Sequence, residues 1–145
     1  MNDDKPRVLD TDIVTYHQAG REAVLRRLRV VPPELIFTTV VTMREQLRGR
    51  LAAVDKAAEG AALVRAYAHL QHTVAYFHRV RVLPFDDAAA AKLAGLRAQK
   101  IRIGTQDLRI AAIVLSVGGV LVTSNRRDFE QIAGLEIEDW SASLS

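Results

Sequence analysis

Asp10, Asp12, Glu45, Asp107, Asn125 and Asp128 are the side chains whose types and settings could do chemistry on an anionic substrate. Asp10 and Asp12 follow the apolar run "RVL" at once, one residue apart, and Glu45 comes just after "LIFTTVV". Asp107 sits at the start of "TQDLRIAAIVLSVGG", while Asn125 and Asp128 follow "VLVT". Two carboxylates about 4 Å apart repel by roughly 4 kcal/mol at an effective dielectric near 20. A cluster of them therefore needs a cation or raised pKa values. Oxygen donors without thiolate or imidazole select hard ions, Mg²⁺ or Mn²⁺. Such a site can clamp a phosphodiester and activate water, so the predicted reaction is metal-dependent phosphodiester hydrolysis.

The elements that must position these acids can be read from patterning. "RVL" predicts a short strand, and "LIFTTVV", from Leu35 to Val41, a β-branched strand buried on both faces. Thr42, with Glu45 three residues on, predicts the cap of a helix that pauses near Gly60 and resumes. Its second half carries Leu63, Tyr67, Leu70, Val74 and Phe77 at spacings of three and four, a stripe that predicts core. "VRVLPF" is a short segment ended by Pro84, the alanine-rich segment from Asp86 predicts a helix, and Thr105 caps the helix that closes at Gly118 or Gly119. "VLVT" and "LEIEDW" predict the last two strands, the second at an edge. Alternating strands and helices imply an α/β/α sandwich with a central, mostly parallel sheet, whose strand carboxyl ends gather function. The acids, distant in sequence, then converge on one edge.

Length allows one domain over residues 1–145. With 49% hydrophobic and 26% charged residues, disorder and a membrane span are excluded expectations. Cysteine is absent, which removes disulfides and thiolate metal sites. The opening "MNDDKPR" has no apolar segment after it, so no secretory leader is expected and a cytoplasmic protein is. The net charge of +3 is modest, yet arginine recurs in small groups, and guanidinium forks suit phosphate oxygens. Arg109, Arg126 and Arg127, beside the acids, are expected contacts for a nucleic-acid backbone. The Thr11, Thr123 and Ser124 hydroxyls could bind phosphate, carboxylates or local backbone. His69, His72 and His78 lack the third ligand that a zinc site needs.

"LDTDIVTY", "TTVVTMREQLRG", "IGTQDLRIAA" and "VLVTSNRRDFEQIAGLEIEDW" resemble, in this order, the motifs of PIN-domain ribonucleases, especially the VapC-like toxins of bacterial toxin-antitoxin pairs. The resemblance spans Val8 to Trp140. It implies RNA cleavage with Mg²⁺ or Mn²⁺ in an acidic pocket, restraint by a cognate antitoxin docked on the helices of the central region, and homodimers. Carried over, the catalytic acids are Asp10, Glu45 and Asp107. Asn125 or Asp128 fills the fourth position, and Asp10, Asp12, Asp107 and Asn125 are the expected metal ligands. Asp12 stands where asparagine is usual, which adds charge. In the first helical turn it could also serve the helix dipole.

Two other readings compete. A phosphatase or phosphoacceptor domain would want a lysine after a later strand, and "VLVTSN" has none. A PIN-like module that binds RNA or protein without cutting would be expected to lack carboxylates that are present here.

Overall fold

The computed structural model describes residues 4–142. Three-residue strand β1 (Arg7–Leu9) leads into α1 (Thr11–Gln18) and α2 (Glu22–Val30), and a 3-10 turn over Pro33–Leu35 delivers β2 (Ile36–Thr39). Then come α3 (Val40–Lys56), α4 (Ala61–Arg79), β3 (Arg81–Leu83), α5 (Asp87–Ala98) and α6 (Thr105–Val117). The chain finishes with β4 (Val120–Val122), α7 (Arg126–Phe129) and β5 (Glu136–Glu138).

The sheet order is β3-β2-β1-β4-β5, and every pairing is parallel. Parallel pairing requires each connection to cross a face, and the helices supply those crossings. Because side chains alternate along a strand, β1 feeds two cores. Val8 packs with Leu121, Leu108, Ile113 and Leu96 on one face, under α5 and α6. Leu9 packs with Val122, Ile13, Val24, Tyr76 and Trp140 on the other, under α1, α2 and the end of α4. The result is the three-layer sandwich.

Central β1 must sit tightly against β4, and two glycines allow it. Gly118 ends α6 in the left-handed region, at φ +64°. A Cβ at Gly119 would lie 3.0 Å from the Pro6 carbonyl oxygen and 3.3 Å from Val8.

Local details differ from the sequence expectations. The strand expected over Leu35–Val41 is only Ile36–Thr39, because α3 begins three residues earlier than its motif suggests. Thr39, still extended at φ −119° and ψ 158°, is the cap: its hydroxyl accepts from the Thr42 amide at 3.1 Å. Thr42 lies inside the first turn and meets Thr11 instead, hydroxyl to hydroxyl at 3.0 Å. Thr39→Ala should lower stability by about 1 kcal/mol, read as a drop in the urea midpoint at constant slope. No change would mean that water replaces the cap. The α6 cap is Gly104, with no side-chain bond, rather than Thr105.

The expected core stripe of α4 is core only in part: Phe77 packs against the cluster of Leu9 and Trp140, and Leu63 and Leu70 are half-buried. Ala66, Thr73 and Tyr76 are the buried residues of α4, whereas Tyr67 is 56% and Val74 42% exposed. Pairing with α3 explains this: Arg50 donates from Nε to the Thr73 hydroxyl at 3.1 Å, which turns that face inward. Among the described residues no helix is long and apolar enough to cross a membrane.

Candidate active site

The carboxyl ends of β1, β2 and β4 open together, and the loops leaving them carry the acids. Asp10 is the residue between β1 and α1, 5% exposed, with its own amide bonded to the Val122 carbonyl of β4 at 2.9 Å. One carboxylate oxygen caps α1 by accepting from the Thr11 amide at 2.8 Å. The other accepts from the Thr123 hydroxyl at 2.8 Å. The side chain is thus fixed at both oxygens, by elements 113 residues apart.

Burial raises the Asp10 carboxyl to about 7, with the Asp12 charge and, more weakly, Asp107 acting the same way against its two hydrogen bonds. Asp107, in the first turn of α6, is pushed up by burial and then by Asp128 and Asp12. Glu45, one turn into α3, is pushed up by burial and then by Asp107, while Arg44 and Arg48 oppose. The five acids therefore form one mutually repelling group drawn from four segments. Because Thr39 caps α3, Glu45 is not engaged at the helix end.

Asp12 caps its own turn through Oδ1, which accepts from the Ile13 amide at 2.7 Å. Its other oxygen takes the Ser124 amide at 3.1 Å and the Ser124 hydroxyl, fastening the β4–α7 loop to α1. Of the uses open to the Ser124 hydroxyl, the structure selects the carboxylate of Asp12. Asn125 and Asp128 are joined: the Asn125 side-chain amide donates to Asp128 at 3.1 Å. The fourth position is therefore a pair.

The expected RNA contacts divide. Thr123 is fully buried, and its hydroxyl serves Asp10 and accepts from the Asn125 amide at 3.0 Å, so it faces no ligand. Thr11 is joined to Thr42. Arg109 reaches Gln106 on its own helix at 3.5 Å, and Arg126 pairs with Glu130 at 3.4 Å. Arg127 is exposed beside the loop.

Among the described residues no three acidic or imidazole groups already surround one point as a ready cage. The donor set still fits a hard divalent ion. All the donors are oxygen, the acids raise one another's pKa, and Mg²⁺ takes one or two carboxylates while keeping water elsewhere.

No family model matches the chain. A tRNA(fMet)-specific endonuclease VapC of Shigella flexneri is 40% identical over 70 residues, 46% of this chain and 53% of that protein. The chain thus spans about half the length of that curated relative. The DNA-bound VapBC structure from Salmonella typhimurium matches with a TM-score of 0.75 and 27% identity, over 94% of this chain and 98% of that one. VapBC-5 of Mycobacterium tuberculosis, described as a member of the VapBC family of toxin-antitoxin systems, matches with 30% identity and a TM-score of 0.57, covering 93% and 97%. With the fold, the order of the acidic motifs and the 30% identity across nearly the whole of that last chain in agreement, the chain belongs to the VapC-like PIN-domain family.

Proposed function

We propose that the protein is a metal-dependent RNA endonuclease, acting as a toxin that a cognate antitoxin neutralises. The observation that carries this reading is the buried Asp10 carboxyl, fixed at both oxygens and raised to about 7 by burial and neighbouring acids. Burial beside Asp12 works against the Asp10 charge, and a bound cation would offset that. The endonuclease and toxin-antitoxin names of its relatives point the same way.

Asp10 and Asp107, with Asp12 and Asn125 beside them, would hold Mg²⁺ or Mn²⁺. When bound, the ion supplies positive charge against the charge that develops on the phosphodiester. Glu45, pushed toward neutrality by burial and Asp107, is suited to take a proton from the attacking water. Asp128, held by Asn125, keeps the fourth wall of the pocket acidic. Arg127 and its neighbours on α7 would meet the strand's phosphates. On α3 and α4, the exposed apolar side chains Leu51, Val64, Tyr67 and Val74 support a protein partner there, the antitoxin or a second copy.

The test is incubation of purified protein with total RNA, with and without Mg²⁺ or Mn²⁺, followed by mapping of new 5′ ends. Discrete cuts that need the metal are expected. Intact RNA under every condition, from folded protein free of inhibitor, would overturn the nuclease in favour of a binding module.

A further inference from the structure

Away from the acids, a cleft of about 390 Å³ opens between the end of α1 and the α3–α4 pair. Arg50 and Arg79 line it with His69, His72, Gln18 and Thr73, and no acidic side chain does. Arg50 is held in place, with Nε on the Thr73 hydroxyl at 3.1 Å and Nη1 3.5 Å from His69 Nδ1. Thr73 is in turn fixed by its bond to the His69 carbonyl at 2.9 Å. Among the described residues neither Arg50 nor Arg79 has an ion-pair partner. Unpaired guanidinium groups beside imidazoles and a hydroxyl are the donor set for a tetrahedral oxyanion.

The position of the cleft says which oxyanion. Helices α1 and α3 both leave the acidic edge of the sheet and run in step, joined by Thr11 to Thr42 and by Gln46 Nε2 to Thr15 at 3.1 Å. Arg50 lies five residues beyond Glu45 on α3, about 7.5 Å along the axis, and Gln18 ends the helix that Asp10 starts. Those five residues also turn Arg50 about 140° around α3 from Glu45, onto the face where Thr42 and Gln46 meet α1, so a strand with one phosphate among the acids would reach the cleft by following the α1–α3 seam.

We propose that this cleft seats a backbone phosphate of single-stranded RNA, flanking the phosphodiester held at the acids. The proposal rests on the ribonuclease reading above. It assigns Arg50, Arg79 and His72 as phosphate donors that hold the strand in register.

Arg79→Gln and His72→Gln, both at exposed positions, test it through binding of a labelled single-stranded oligoribonucleotide in chelator, where no cutting interferes. The expected result is severalfold weaker binding for Arg79→Gln, with the slope of log affinity against log salt shallower by about 0.7. Cleavage of a fragment too short to reach the cleft should keep its rate, while KM rises for the long strand. Unchanged affinity and slope in both variants would overturn the proposal. So would intact RNA binding together with loss of binding to an acidic peptide, which would make the cleft a protein-docking site. If the parent protein cuts no RNA yet Arg79→Gln still weakens RNA binding with the shallower slope, the nuclease reading fails and the cleft's phosphate role stands.

Discussion

Asp10→Asn should lower RNA cleavage by about 10³-fold or more while leaving the fold intact. The carboxylate is the acid that lies deepest in the site, and both of its oxygens have fixed partners. An asparagine keeps the shape. Its oxygen can still accept from the Thr11 amide and its amide can donate to the Thr123 hydroxyl, whose own proton then loses the acceptor Asp10 gave it, a cost of about 1 kcal/mol that leaves the fold standing. What it lacks is charge for a cation, and that loss falls on the reaction alone. Single-turnover cleavage of labelled RNA at saturating Mn²⁺ is the measurement. A fall of less than about tenfold would place Asp10 outside the first circle of ligands, as a positioning residue.

Stability should respond to pH in the sense opposite to ordinary salt-bridged acids. The Asp10 carboxyl titrates near 3.8 in the unfolded chain and at about 7 in the folded one. The folded state therefore holds the proton more tightly. The stabilisation this gives is fully present below pH 3.8 and is lost as pH rises through about 7, worth about 4 kcal/mol as an upper figure. Glu45 and Asp107 shift the same way and add to the trend. His17 runs the other way: burial, then Arg79, lower its pKa, so its share is lost as pH falls; it is only half-buried and the acids outweigh it. In chelator, the urea midpoint should thus fall between pH 5 and pH 8, about as far as the protein's other groups allow. Mn²⁺ should restore it at pH 8 and do little at pH 5, since a ligand must give up its proton to bind. Asp10→Asn should flatten the profile. A wild-type profile already flat in chelator would show that solvent reaches Asp10.

Much of this was legible because the signals are local. Strand ends followed by acids, glycine closing α6 and β-branched runs each act over a few residues, and β1, β2, β4 and β5 lie where such patterns put them. What the sequence concealed depends on partners far along the chain. Thr39 and Thr42 are chemically identical, and only the pairing of Thr39 with Leu83 of β3 keeps the first extended so that it becomes the cap. The apolar stripe of α4 suggested core, but the face that packs on α3 is chosen by Arg50 and Thr73, a polar contact with no periodic signature. Thr123 looked like a hydroxyl for substrate. Its burial beneath Asp10 follows from β4 lying directly beside β1, a neighbour relation that order in the sequence does not reveal.

That neighbour relation also sets when the protein can become active during its own synthesis. The central strand is made first, and one of its two neighbours, β4, is made about 110 residues later. Until Val120–Val122 pairs with Arg7–Leu9, Asp10 has neither the Val122 carbonyl for its amide nor the Thr123 hydroxyl for its carboxylate. A growing chain that already carries Asp10, Glu45 and Asp107 therefore has the acids without the pocket. Closing so long a loop is slow compared with forming helices. The acidic edge would thus be incomplete while the chain before β4 is being made, and would close only once β4 has emerged to pair with β1.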